Sequence, residues 1–127
     1  MPNSSASVLI IEHRAGTTDT TSMAGLGSGS DKWNGGVLAP NGLIYGVPFH
    51  NSASVLIIDP TAGTTDITSM AGLSGSLKWA GGVLAPNGKV YGMPCASASV
   101  LIIDPTAGTT DTTSMAGRTG SVWLGGV

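Results

Sequence analysis

Three apolar runs of four residues, Val8–Ile11, Val55–Ile58 and Val100–Ile103, punctuate the chain, each preceded by Ser and followed by one acidic residue, Glu12, Asp59 or Asp104. Such a short continuous run reads as a strand buried on both faces, not as a helix stripe. A turn signal follows, Asp104-Pro105-Thr106-Ala107-Gly108 in the last copy. Then comes a polar, Thr-rich segment, Thr109–Met115, which suits an outer edge strand. Upstream of the run, Trp79–Ala85 and Lys89–Met93 read as two more strands. Pro86-Asn87-Gly88 joins them as a hairpin turn, because Pro presets φ and Asn-Gly accepts positive φ. Pro94 stops the second strand, Ser97–Ile103 is the third, and Ala71–Lys78 connects one set of four to the next.

The pattern is a repeat. Ser52–Gly72 and Ser97–Gly117 agree at every position except Ile67 against Thr112, and Ser5–Gly25 is a looser third copy. Val8, Val55 and Val100 stand 47 and then 45 residues apart. A period of this length marks one supersecondary unit per repeat, with a core shared between stacked neighbours. With the strands labelled A to D, the expected organisation is a single repeat array over 1–127. It comprises a partial unit over 5–32 (strands C and D), full units over 33–78 and 79–122, and the first strand of a truncated unit over 123–127. The fold expected is all-β, built of four-stranded antiparallel sheets, with a β-solenoid as the alternative.

The phrases Gly81–Pro94 (GGVLAPNGKVYGMP) and Ser99–Thr113 (SVLIIDPTAGTTDTT) resemble β-propeller repeats of the kelch, NHL and YVTN type. The resemblance implies propeller blades, here an incomplete propeller of fewer than three repeats, since closed propellers need about 4–8 blades. It says little about activity, because propellers host enzymes, lectins and scaffolds alike. Uncovered blade faces at either end imply a homo-oligomer or the remainder of a longer propeller.

Composition narrows the function. Charged residues are 9% of the chain and the net charge is −2, so there is no basic stripe for a phosphate backbone. Nucleic acid is not an expected partner, nor is a membrane, because no apolar run approaches the ~18 residues of a spanning helix. The single cysteine, Cys95, forms no internal disulfide.

In blade geometry one loop face would carry Lys32, Trp33, Phe49, His50, Lys78, Trp79 and Trp123, with Asp31, Asn51 and Cys95 beside them. Tryptophans on a rim offer flat apolar area and one N–H donor, which suits a glycan or a protein ligand. A Trp in every repeat is equally what packing between blades requires, and that reading is preferred. His13 and His50 fall on opposite faces, so a joint metal or catalytic site is not expected, and neither is a cofactor. Asp19, Asp66 and Asp111 recur in every unit, as turn residues do. The function expected is a non-enzymatic binding or scaffold module. The alternative is a fragment of a propeller lyase or hydrolase, using the symmetry-breaking Glu12, His13, Arg14, Phe49 and His50.

Overall fold

A computed structural model describes residues 1–117. It contains ten strands and, among the described residues, no helix. A two-stranded hairpin comes first, β1 (Ile10–Glu12) and β2 (Thr17–Asp19). Two four-stranded antiparallel sheets follow. The first contains β3 (Trp33–Leu38), β4 (Ile44–Pro48), β5 (Leu56–Asp59) and β6 (Thr64–Asp66), ordered as in sequence. The second repeats this with β7 (Trp79–Leu84), β8 (Val90–Pro94), β9 (Leu101–Asp104) and β10 (Thr109–Asp111). These are blade-like units, and no closed propeller forms among the described residues.

The registers of the two sheets match position for position: Leu38 pairs with Ile44 and Leu84 with Val90, while Trp33 pairs with Pro48 and Trp79 with Pro94. Both outer pairs carry a bulge after the tryptophan, where Gly35 and Gly81 adopt φ of 76° and 84°. In the hairpin turn of the second sheet, Gly88 N–H donates to the Ala85 carbonyl at 3.0 Å and Ala85 N–H to the Lys89 carbonyl at 2.9 Å. Only the glycine of Asn87-Gly88 takes a positive φ, 82°. The loop is a tight turn closed by a left-handed glycine, one of the common short hairpin loops. The Asn87 side chain braces it, accepting from Lys89 N–H at 3.1 Å and donating to the Tyr91 hydroxyl at 3.0 Å.

Two strands are shorter than the sequence pattern suggests. The third begins at Leu101 rather than Ser97, because Ser99 N–H donates to Ser97 Oγ at 3.3 Å and folds the lead-in into a local turn. The fourth stops at Asp111 rather than Met115. The Asp111 carboxylate accepts the N–H groups of Thr113 at 2.7 Å and Ser114 at 3.1 Å, which bends the chain out of the ladder. Asp19 and Asp66 make the same bonds in their own units.

The units stack face to face, and the core lies in the two layers between them. The first layer joins Met23 and Leu26 of the hairpin unit to Trp33, Leu56 and Ile58 of the first sheet. The second joins Tyr45, Val47, Val55, Met70 and Leu73 of the first sheet to Trp79, Val90, Leu101 and Ile103 of the second. Each Val-Leu-Ile-Ile run therefore turns its Leu and last Ile toward the preceding unit and its Val and first Ile toward the following one. The expectation of burial on both faces holds for the middle unit, which has a neighbour on each side. Leu56 and Ile58 are 0% and 4% exposed there, whereas the corresponding Leu9 and Ile11 of the hairpin are 57% and 66% exposed. At about 25 cal/mol per Å² of apolar surface, such layers supply the main cohesive term between the units.

Candidate functional site

The sheet registers place the β3–β4 and β5–β6 turns at one end of the first unit and Phe49, His50 and the Trp33 end of β3 at the other. The second sheet has the same arrangement. Lys32, Trp33, Phe49, His50, Lys78 and Trp79 thus gather at one rim, while Glu12, His13 and Arg14 occupy the β1–β2 turn at the opposite end. Trp123 lies outside the described residues. The alternative set of Glu12, His13, Arg14, Phe49 and His50 is divided between the two ends.

A relay of backbone hydrogen bonds runs along this rim. Lys32 N–H donates to the Asn3 carbonyl at 2.8 Å, and the Lys32 carbonyl accepts from Phe49 N–H at 2.9 Å. Phe49 in turn accepts from Lys78 N–H at 2.8 Å, and Lys78 accepts from Cys95 N–H at 2.8 Å. The relay crosses both junctions, so each Lys-Trp pair ties the start of its own unit to the unit before.

The side chains point the same way. The indole N–H groups of Trp33 and Trp79 donate to the carbonyls of Ser54 and Ser99, each at 2.8 Å. The rings are 2% and 3% exposed and form part of the layers between units, which shuts out a ligand stacked on their faces. Lys32 and Lys78 are 4% and 3% exposed. The Lys78 ammonium donates to the carbonyls of Gly75 at 2.8 Å and His50 at 3.2 Å, and that of Lys32 donates to Gly29 and lies 5.9 Å from the centre of the Trp33 ring. Burial pushes the Lys78 ammonium below the usual lysine range. His50 is half-buried, and its Nδ1 accepts the Leu77 N–H at 3.3 Å. Phe49 is half-buried and Cys95 buried. The residues brought together at this rim form a seam that fastens one unit to the next.

Two hollows lie at the junctions. An apolar one of about 260 Å³ separates the hairpin from the first sheet, lined by Val8, Ile10, Met23, Ile44 and Ile58 among others. A polar one of about 150 Å³ lies beside Trp79, with Ser74, Ser97, Ser99 and Thr112 on its walls. These hydroxyl residues were not among the sequence candidates. Their signal was the one difference between the long repeats, Ile67 against Thr112. No protein-family model matches the chain, and no curated protein matches it.

Proposed function

We propose that the units are blades of a β-propeller-type array, of the kelch, NHL and YVTN kind, and that the chain is a non-enzymatic binding or scaffold module. Its ligand is a glycan or a protein, met at the rim where the connections between units gather. The observation that carries this reading is the recurrence of one junction. The same Lys-Trp seam and the same kind of apolar layer join the hairpin to the first sheet and the first sheet to the second. Repetition of a mechanical device is what an array needs to hold loops in fixed relative positions.

The rim would present its connecting loops rather than its tryptophan faces, because the indoles are occupied in packing. The half-buried Val100 and Ile102 and the exposed Met115 offer a further unit the same kind of face that the first sheet offers the second. That further unit comes from a second copy or from the remainder of a longer array.

A glycan and protein array probed with the whole chain, run beside polysaccharide lyase and glycoside hydrolase assays, tests the reading. Saturable binding without turnover is expected. Turnover without binding to any arrayed ligand would favour the lyase or hydrolase alternative.

A further inference from the structure

The hollow beside Trp79 exists because the second junction departs from the first. Its floor and one wall come from Gly72, Leu73 and Ser74, in the connection leaving the first sheet. The opposite wall belongs to the second sheet and carries Trp79, Ser97, Ser99 and Thr112. At the first junction the repeat register puts Trp33, Ser52 and Ser54 in the places of Trp79, Ser97 and Ser99, and Ile67 in the place of Thr112. Ile67 packs onto the apolar layer there, beside Met23, Leu26 and Trp33. Thr112 carries a hydroxyl where Ile67 carries an ethyl group, so the second junction keeps a space that the first fills. The connection also differs: Ser74 stands where the first, one residue longer, has Gly27-Ser28.

The hydroxyls of the two junctions are committed differently. Ser52 Oγ donates to the Ser54 carbonyl at 2.9 Å, and both serines are 7% exposed. Ser97 and Ser99 instead have their hydroxyls 3.4 Å apart, while in both junctions the second serine's N–H donates to the first serine's Oγ at 3.3 Å. A hydroxyl carries one donor and two acceptor positions, so this pair retains unused capacity. Trp79 has its N–H engaged with the Ser99 carbonyl and its ring packed in the layer between the units, so it brings the site no free donor. Among the described residues, none that lines the hollow is charged. Its volume of about 150 Å³ holds about five waters at roughly 30 Å³ each, or one edge of a pyranose with its hydroxyls.

We propose that this second junction is a binding site for a neutral polyhydroxylated ring, a single hexose presented free or at the end of a glycan. Hydroxyls that both donate and accept match the rim of a sugar, and the uncharged character of the described wall residues suits a neutral ring. The proposal rests on the reading of the chain as a binding module and gives that reading a place and a ligand class.

The test is a titration of the whole ¹⁵N-labelled chain, following the indole N–H signals. The probes are the methyl α- and β-glycosides of glucose, galactose and mannose, and disaccharides that end in the same sugars. The Trp79 signal is expected to shift saturably with at least one probe, and the Trp33 signal to stay in place. A response to methyl glycosides and disaccharides alike marks a site for one ring. A response to disaccharides alone marks a site that needs the glycan attached to it.

Thr112→Ile, which installs the residue the middle unit already carries, and Thr112→Val, which removes only the hydroxyl, should each weaken binding about tenfold or more. A Trp79 signal unmoved by every probe, or wild-type affinity in Thr112→Ile, overturns the site. Array binding that persists in Thr112→Ile would leave the binding-module reading standing with its site elsewhere. Loss of all array binding by the wild-type chain would remove that reading as well.

Discussion

The first junction, between the hairpin and the first sheet, and the second, between the two sheets, are built from nearly the same residues and pack differently. In both, a tryptophan N–H is fixed to a serine carbonyl and a buried lysine reaches back to a glycine carbonyl. At the second junction Val47, fully buried and β-branched, presses on Gly82 and Gly92. At the first, the side chain of Met1 takes that place against Gly36 and Gly46, and Met1 is itself exposed. The second junction closes at its core and stays hollow at its rim, beside Thr112. The first is plugged at the rim by Ile67 and leaves its apolar hollow beneath the hairpin. Hydrogen bonds that depend on local sequence thus repeat from unit to unit, while packing that depends on a neighbour does not.

The largest effect expected is from the tryptophans, where both junctions should respond alike. Trp33→Ala and Trp79→Ala each leave a void in a buried layer and remove an indole hydrogen bond to a serine carbonyl, at about 3–5 kcal/mol by analogy with other buried aromatic truncations. Urea unfolding followed by circular dichroism measures this. If the rings served a ligand rather than the stack, the midpoint would be unchanged and only binding would suffer.

Glycine substitutions should separate the junctions. A Cβ at Gly82 would lie 2.9 Å from Val47 Cγ2 and 3.3 Å from the Tyr91 carbonyl oxygen, neither of which can swing away. Gly82→Ala is expected to destabilise by about 1–3 kcal/mol. The same change at Gly36 meets the flexible end of Met1, which can rotate aside at a cost of less than about 1 kcal/mol. Equal melting temperatures for Gly36→Ala and Gly82→Ala would show that the contrast between the junctions is not real.

How legible this was in the sequence follows the same division. The period, the strand order and the Pro-Asn-Gly hairpin were readable because each rests on residues adjacent in the chain. The ends of the third and fourth strands were misread, since Ser97 and Asp111 take backbone N–H groups that an apolar pattern assigns to a ladder. The exposure of Leu9 beside the burial of Leu56 could not be read at all: both lie in the same Val-Leu-Ile-Ile run and differ only in having a neighbour. Lys32 and Lys78 looked like rim ligands because the carbonyls that hold them, on Gly29 and Gly75, are not visible as side chains. The Thr112 difference was plain in the alignment of the repeats, but its place on a cavity wall required the stack.

The smallest effect expected is the one that should not distinguish the units. Asp19, Asp66 and Asp111 are each held well below the ordinary value of 3.8, first by a serine hydroxyl and then by backbone N–H groups. The serines are Ser22, Ser69 and Ser114. A carboxyl whose value is lower folded than unfolded binds more protons in the unfolded chain. Its stabilisation is therefore complete above about pH 4 and drains away as the pH falls below that. All three groups lie near the surface, so each effect is small. The melting temperature should hold steady from pH 7 to about pH 5 and decline below about pH 4. Replacing all three by Asn keeps an acceptor for the turn but removes the titration, and should flatten the decline. Replacing them singly should remove similar shares, because these turns are closed within their own units and take nothing from either junction. A single variant that accounted for most of the acid sensitivity would mean that the stack reaches into the turns after all.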